Sequence, residues 1–290
     1  MRAVGHRRWG APLRPPEVVK CLALPLRCGD EEVHIMSRDT VRQVAVGVGA
    51  AAAIAGAAWG SGAFGGTKIA EAADGALASD ATLLAPATPA FAIWTAIYAL
   101  LALFAIVQAL PSRRADDRYR AIAWWLLASM LLNAAWIAVV QAGWIAASVV
   151  VLATIVGTLA VVATRLNKQP SAPIVDVLAT EASTGLYLGW SAVATAANLA
   201  AALGDVNTGL AIALIVAVGL SAIAAVWRLK RRALAVSVAI AVTWGSAWIG
   251  VARLAEPANN AVAATAFVAA TAVAVTGGLR LRTNVAAQRA

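Results

Sequence analysis

Residues 88–110 read TPAFAIWTAIYALLALFAIVQAL, a run of mostly Ala, Leu, Ile and aromatic residues without a charged side chain. An α-helix rises about 1.5 Å per residue, so roughly 20 apolar residues cross the hydrocarbon core of a bilayer. Pro111 follows directly, and proline cannot continue a helix without losing a backbone hydrogen bond. The stretch therefore predicts one transmembrane helix with a defined end.

Seven other runs in the chain have the same character. Of all residues, 61% are hydrophobic and 13% are charged, whereas a soluble domain carries about 25% charged residues. Too little charge remains to cover a surface that faces water. The sequence thus predicts an all-α, polytopic transmembrane helix bundle of about eight spans, at residues 41–64, 88–110, 121–141, 144–166, 175–203, 208–227, 233–254 and 260–279.

The distribution of basic residues supports this count. Lys and Arg collect in the cytoplasmic segments of membrane proteins, because translocation of short basic loops is disfavoured. With the N-terminus inside, 21 of the 23 Lys and Arg fall in inner segments, and only Lys68 and Arg253 fall outside. The net charge of +9 therefore reflects topology rather than a nucleic-acid partner. We expect a multi-pass protein of the inner (plasma) membrane with both termini in the cytoplasm.

Residues 1–40 differ in kind from the rest and predict a disordered, basic N-terminal extension. We expect the functional chain to begin near Met36, with a genuine basic tail as the alternative. This stretch holds all cysteines and histidines of the chain. They could form a disulfide, bind a metal or have no role, but their spacing fits no zinc pattern and we expect no metal site. These residues are His6, Cys21, Cys28 and His34.

Few ionisable residues lie within the spans. The spans contain no Ser-His-Asp set, no paired carboxylates at mid-membrane and no metal cluster, so we expect no enzyme. Asp176 and Glu181 fall in the first turns of the fifth span. Snorkelling towards the interface or a favourable place near the helix N-terminus is the structural interpretation. A proton relay through Glu181 is the alternative.

Tryptophan and amide residues are what the spans do contain. Four tryptophans near span ends are interpreted as interfacial anchors, because an amphipathic indole favours the membrane interface: Trp124, Trp125, Trp144 and Trp227. Deeper residues fall three or four apart, and hence on one helix face, in three spans. These faces are formed by Trp94 and Tyr98, by Asn133 and Trp136, and by Trp190, Ala194 and Asn198. They could form a pocket for a flat apolar ligand or pack helices together, and composition does not separate the two.

At these residues the chain resembles the TspO/MBR family, the tryptophan-rich sensory proteins or translocator proteins. Residues 86–98 read PATPAFAIWTAIY, residues 132–136 read LNAAW and residues 187–198 read YLGWSAVATAAN. The three motifs occur in order and in the second, third and fifth helices, as in the family. The first loop differs: family members usually cap the pocket with aromatic and proline residues, whereas residues 65–87 are Ala-rich and acidic.

The resemblance covers residues 41–203 and implies a five-helix domain that binds porphyrins or related tetrapyrroles. Three further helices at 204–279 and a cytoplasmic tail at 280–290 follow it. The resemblance implies no cofactor other than such a ligand, and it implies a possible homodimer, since family members pair through a lateral face. The ligand-binding residues carried over by position are Trp94, Tyr98, Asn133, Trp136, Trp190, Ala194 and Asn198.

The expected function is therefore binding of a hydrophobic ligand such as a porphyrin, for sensing, transport or handling. The alternative is a small-molecule permease that uses all eight helices. An enzyme acting on a lipid or porphyrin is a third option, and the shortage of acid–base residues in the spans argues against it.

The charge bias gives a first testable prediction. A protease-sensitive tag placed at either terminus should be protected in sealed right-side-out vesicles and cleaved only after permeabilisation, because both ends are expected inside. Cleavage of either tag in intact vesicles would contradict the predicted orientation.

Overall fold

The computed structural model describes residues 25–60, 67–204 and 206–287, and the side chains of residues 38–60, 67–204 and 206–282. Within those ranges the regular structure is entirely helical. Among the described residues, eight helices are long and apolar enough to cross a membrane. The predicted fold class and number of spans are therefore confirmed.

The helix bounds follow the predicted spans closely. A 3₁₀ turn, Thr88–Ala92, leads into the second helix, and a π-helical stretch, Val177–Ala182, lies within the fifth. The helices are α1 (Pro25–Gly60), α2 (Ile93–Ala109), α3 (Asp117–Gln141), α4 (Ile145–Leu166), α5 (Ile174–Leu203), α6 (Thr208–Arg228), α7 (Arg232–Ala252) and α8 (Asn260–Ala287).

The first helix begins earlier than its apolar run. Helix α1 starts at Pro25, within the extension that was predicted to be disordered up to residue 40. Only its part from Arg38 is a candidate membrane span. A count of apolar residues does not detect such a polar helical extension, which contains only one glycine and no internal proline before the membrane part. Residues 1–24, the end of the predicted first span beyond residue 60, and the side chains of the cysteines and histidines lie outside the described residues.

Short loops are closed by residues suited to them. The turn between α3 and α4 passes through Gly143 at φ +78°, a conformation that side chains with a Cβ rarely adopt. The Asp116 side chain accepts a hydrogen bond from the Arg118 N–H at 2.9 Å and caps the start of α3. Asn207 does the same for α6 through the Leu210 N–H. The polar residues between the apolar runs thus satisfy the free backbone groups at helix ends.

From Asp39 onward the chain packs as one unit, and Pro25–Arg38 belongs to a separate one. Helix α5 is central in the larger unit, because it contacts α2, α4, α6 and α7. Helix α7 in turn packs against α8, which also contacts α6. The boundary predicted at residue 204 lies in the loop between α5 and α6 of this packed unit.

The contact between α5 and α7 is close because glycines line it. A Cβ placed on Gly185 would lie 2.5 Å from the Leu234 carbonyl oxygen, and one placed on Gly189 would lie 2.7 Å from that of Val238. Gly185 and Gly189 are one helical turn apart, so they form the small-xxx-small face that lets membrane helices approach at backbone distance. Any larger side chain there must separate the two helices.

At the end of the bundle that carries the basic loops, which we call the basic end, Asp176 is buried in an ion pair. Its Oδ2 accepts a hydrogen bond from Arg113 Nη2 at 2.7 Å, and its Oδ1 accepts one from the Tyr119 hydroxyl at 2.6 Å. Asp176 does not snorkel towards the interface, but it lies in the first turn of α5, the place near the helix N-terminus that the structural interpretation gave as its other form. Arg113 and Tyr119 belong to the segment that starts α3, so they supply the partners that water would otherwise provide.

Glu181 is buried at the same end, and the snorkelling prediction is wrong for it too. Arg118 Nη1 lies 3.2 Å and Arg231 Nη2 lies 2.6 Å from its Oε1. Arg231 comes from the loop between α6 and α7, so this carboxylate joins α3, α5 and the last three helices. Its position between two guanidinium groups in a π-helical turn favours a structural role over the proton relay.

The glycine contact yields a stability prediction with an internal control. Gly189→Ala should lower the free energy of unfolding by about 1–3 kcal/mol, because the new Cβ overlaps the α7 backbone. Gly157→Ala on the exposed side of α4, where a Cβ meets nothing within 4 Å, should leave stability unchanged or raise it by up to about 1 kcal/mol. Thermal unfolding in detergent measures both, and equal effects would contradict the proposed packing.

Candidate functional site

The three aromatic faces predicted from the sequence meet in one cluster. Trp94 and Tyr98 are one turn apart on α2, and their rings stack with centroids 5.2 Å apart and planes inclined by 19°. Asn133 of α3 donates from Nδ2 to the Tyr98 hydroxyl oxygen at 2.9 Å. The α2 face and the α3 face are thus joined by a hydrogen bond deep in the bundle.

The α3 and α5 faces are joined through Asn198. Its Oδ1 accepts hydrogen bonds from Trp136 Nε1 at 3.2 Å and from Ser148 Oγ of α4 at 2.8 Å. Its Nδ2 donates to the Ala194 carbonyl oxygen of its own helix at 2.9 Å. One amide therefore links three helices, and each polar group finds the partner that an apolar environment requires.

Trp190 lies at the centre of the cluster and is 2% exposed. Its ring meets Trp94 edge-on, with centroids 6.3 Å apart, and meets Phe91 edge-on at 5.8 Å. Within the described part of the chain its Nε1 is buried without a hydrogen-bond acceptor. An unpaired indole N–H in a buried site is costly, so this donor marks a point where a polar acceptor would be stabilised.

Two cavities flank the cluster. The first, which we call the inner pocket, has a volume of about 30 Å³ and holds at most one or two waters. It is lined by five of the seven predicted residues, Trp94, Trp136, Trp190, Ala194 and Asn198, together with Leu152, Val193 and residues before α2. The structure thus brings these five together around a nearly closed space.

The second, which we call the outer cavity, is larger, at about 390 Å³. The predicted residues Trp94, Tyr98 and Trp136 line it, and Phe91, Trp94 and Trp136 separate it from the inner pocket. Asn133 lies behind this wall, beside Tyr98 and Tyr187. Further lining residues are Ala58, Lys68, Ile69, Ala70, Thr88, Thr95 and Ile137.

Residues 67–90, which we call the lid, cover the inner pocket. Ala76, Leu77, Thr82 and Ala85 of the lid face that pocket, with Pro86 beside them. The Thr67 carbonyl oxygen of the lid accepts a hydrogen bond from Gln141 Nε2 at 2.8 Å. The lid side chains that line this pocket are Ala, Leu, Thr and Pro, in place of the aromatic cap usual in the family that the chain resembles.

Helix α7 holds the other part of the lid. The Ala87 N–H donates to the Trp248 carbonyl oxygen at 3.1 Å, and Trp244 Nε1 donates to the Ala90 carbonyl oxygen at 2.8 Å. Arg253, at the end of α7, is fully buried and donates from Nη2 to the Ser79 carbonyl oxygen. Burial lowers the pKa of this guanidinium, and the Asp80 carboxylate opposes that shift.

Several residues of the site were missed by the sequence prediction. Ser148 is one small hydroxyl in an apolar helix, and nothing local reveals that it faces Asn198. Tyr187 was visible in the third motif but was not assigned to the site, although its ring meets Trp94 at 5.9 Å. Arg253 did carry a signal, because it is one of two basic residues that break the charge bias.

The structure also places the tryptophan side chains that were predicted to lie near the membrane interface. The four tryptophans interpreted as interfacial anchors are all exposed, at 36–66% of their surface, and Arg165 lies 5.1 Å above the ring of Trp125. Among the described residues, no group of three or more His, Cys, Asp or Glu side chains could hold a metal ion.

Comparison with known families agrees with this geometry. The model of the family described as TSPO-like protein matches residues 43–279. The chain belongs to the TSPO-like family. The match includes α6, α7 and α8, so the likeness of this TSPO-like protein to its family extends beyond the five helices that carry the motifs. Searches among curated proteins and among solved structures gave no match.

The amide at the helix junction gives a testable prediction. Asn198→Ala should lower the free energy of unfolding of this TSPO-like protein by about 1–3 kcal/mol, because Trp136 Nε1 loses its acceptor in a buried site. Thr195→Ala is the matched control: its hydroxyl bonds only to the Ser191 carbonyl oxygen in the same helix. Chemical unfolding followed by far-UV circular dichroism compares them, and an equal loss in both would contradict the role of Asn198.

Proposed function

We propose that this TSPO-like membrane protein binds a flat, hydrophobic small molecule of the tetrapyrrole type at its aromatic cluster. The role is binding, for sensing, transport or handling of the ligand, rather than catalysis. The observation that carries the proposal is the outer cavity of about 390 Å³, walled by Trp94, Tyr98 and Trp136. Small-molecule sites typically have about 300–1,000 Å³ and apolar walls with a few polar groups.

The chemistry of the walls supports a flat ligand with polar edges. The stacked rings of Trp94 and Tyr98 present a broad apolar surface, against which a conjugated ring system gains from offset or edge contacts. The hydroxyl-bearing Thr88 and Thr95 line the same cavity, and so does the cationic side chain of Lys68. A tetrapyrrole that carries carboxylates would match both the apolar wall and this ammonium group.

The volumes favour the outer cavity as the place where such a ligand would first bind. The inner pocket, at about 30 Å³, is too small for any drug-sized molecule in this conformation. The outer cavity is therefore the proposed entry site, and the inner pocket is the part that a ligand would enter only after the lid or the Phe91–Trp94–Trp136 wall moves. The unpaired Trp190 Nε1 in the inner pocket would then offer a donor to a polar edge of the ligand.

Titration of purified protein with protoporphyrin tests the proposal. We follow the ligand's own absorbance band, so that removing a tryptophan does not remove the signal. Trp94→Ala and Trp136→Ala should each weaken binding by about tenfold or more, because each removes part of the aromatic wall. Trp227→Ala is the control, since Trp227 is exposed and lies at the basic end of α6.

The control makes specific binding distinguishable from partitioning into detergent. Unchanged affinity in both wall variants, or an equal loss in Trp227→Ala, would contradict the assignment of the site. Binding that is lost only when the wall is changed would support it.

A further inference from the structure

The lid of this protein is held by buried apolar side chains, among them the fully buried Leu84, and by hydrogen bonds to its backbone. Its side chains facing the inner pocket are small, apart from Leu77, and small side chains gain little from burial. Where the lid covers this pocket, hydrogen bonds from the surrounding helices add to what holds it in place. Gln141 of α3 holds the lid at Thr67, and α7 holds it at Ser79, Ala87 and Ala90.

Arg253 is the least expected of these contacts. A fully buried guanidinium is expensive to place, and it is stable only where acceptors replace water. Here Nη2 donates to the Ser79 carbonyl oxygen of the lid and Nη1 donates to the Pro257 carbonyl oxygen at 3.3 Å. The buried guanidinium therefore requires the Ser79 carbonyl oxygen as an acceptor, and the same hydrogen bond holds the lid.

Trp244 contributes a second, independent contact. Its Nε1 donates to the Ala90 carbonyl oxygen at 2.8 Å, at the point where the lid joins the 3₁₀ turn before α2. Its ring meets Trp248 edge-on at 5.7 Å, which fixes its orientation on α7. The next residue after Ala90 is Phe91, which forms part of the wall between the two cavities.

We propose that α7 controls access to the aromatic site: Trp244 and Arg253 are positioning residues that hold the lid closed over the inner pocket. This gives the last three helices a function that the motifs of the first five do not describe. The proposal extends the proposed ligand site, but closure of the lid can be measured without any ligand. A failure of porphyrin binding and a failure of this proposal are therefore distinguishable.

The test measures how often the lid opens. In a protein with Cys21→Ser and Cys28→Ser, we introduce Leu77→Cys, because Leu77 is 9% exposed and faces the inner pocket. A water-soluble maleimide should label this thiol slowly. Labelling of a buried thiol proceeds through local opening, so its rate reports the population of the open lid.

The expected changes follow from the hydrogen bonds removed. Arg253→Gln should accelerate labelling about tenfold or more, because it removes a charged donor, and Trp244→Phe should accelerate it about fivefold. The control is Trp227→Phe, which removes an exposed indole N–H at the basic end of the bundle. In this variant the labelling rate of Leu77→Cys should stay at that of the parent protein.

Global unfolding is separated from lid opening by a second reporter and by melting. Thr82→Cys, at another lid position that faces the inner pocket, should show the same accelerations. Ser129→Cys, buried in α3 away from the lid, should remain unlabelled in all variants. If Arg253→Gln fails to fold, Trp244→Phe alone decides, because it keeps an aromatic ring and removes the N–H together with the second ring of the indole.

Three outcomes overturn the proposal. Labelling rates of Leu77→Cys that do not change in Trp244→Phe would show that α7 does not hold the lid. Equal acceleration in Trp227→Phe would show a general loosening of the fold rather than release of the lid. Parallel labelling of Ser129→Cys would show loss of the whole fold rather than opening of the lid.

Discussion

The close approach of α5 and α7 at Gly185 and Gly189 is the contact on which the site depends. Without side chains at these two positions, the α7 backbone lies against α5 at van der Waals distance. That contact brings the far end of α7 within hydrogen-bond reach of the lid, which covers the cluster around Trp190. Two glycines on one helix face thus connect a packing feature of the membrane interior to the closure of a cavity.

The requirement to satisfy polar groups away from water explains most of the other contacts. Asn198 joins α3, α4 and α5 because its amide has no water to bond. At the basic end, Glu181 joins α3 and the loop before α7 for the same reason. Each of these groups is costly when it is unpaired and stabilising when it is hydrogen-bonded, so each determines which helices must be neighbours. The bundle therefore owes its specificity to a few polar contacts among many exchangeable apolar ones.

The sequence was sufficient for what depends on composition and on spacing along one helix. Apolar run length located all eight helices, and three- or four-residue spacing placed Trp94 with Tyr98 and Trp136 with Asn133 on shared faces. Contacts between distant segments could not be predicted from composition or spacing. Spacing cannot show that Ser148 faces Asn198, that Arg231 reaches Glu181, or that Asp176 turns inwards. A buried carboxylate and an interfacial one have the same local sequence, and only the partner's position decides between them.

The distribution of basic residues nevertheless carried information beyond the membrane topology. A single arginine lies at the end of an apolar helix, on the side that basic residues avoid. Such a residue is expected to have specific hydrogen-bond acceptors. In this protein Arg253 finds acceptors in the lid and in the loop after α7. The side chains that the lid turns towards the inner pocket are mostly small, so hydrogen bonds from α7 add to what its buried leucines contribute. The absence of aromatic residues from the lid and the presence of the buried arginine are therefore two parts of one arrangement, in which a helix outside the five-helix motif region shares in holding the lid closed.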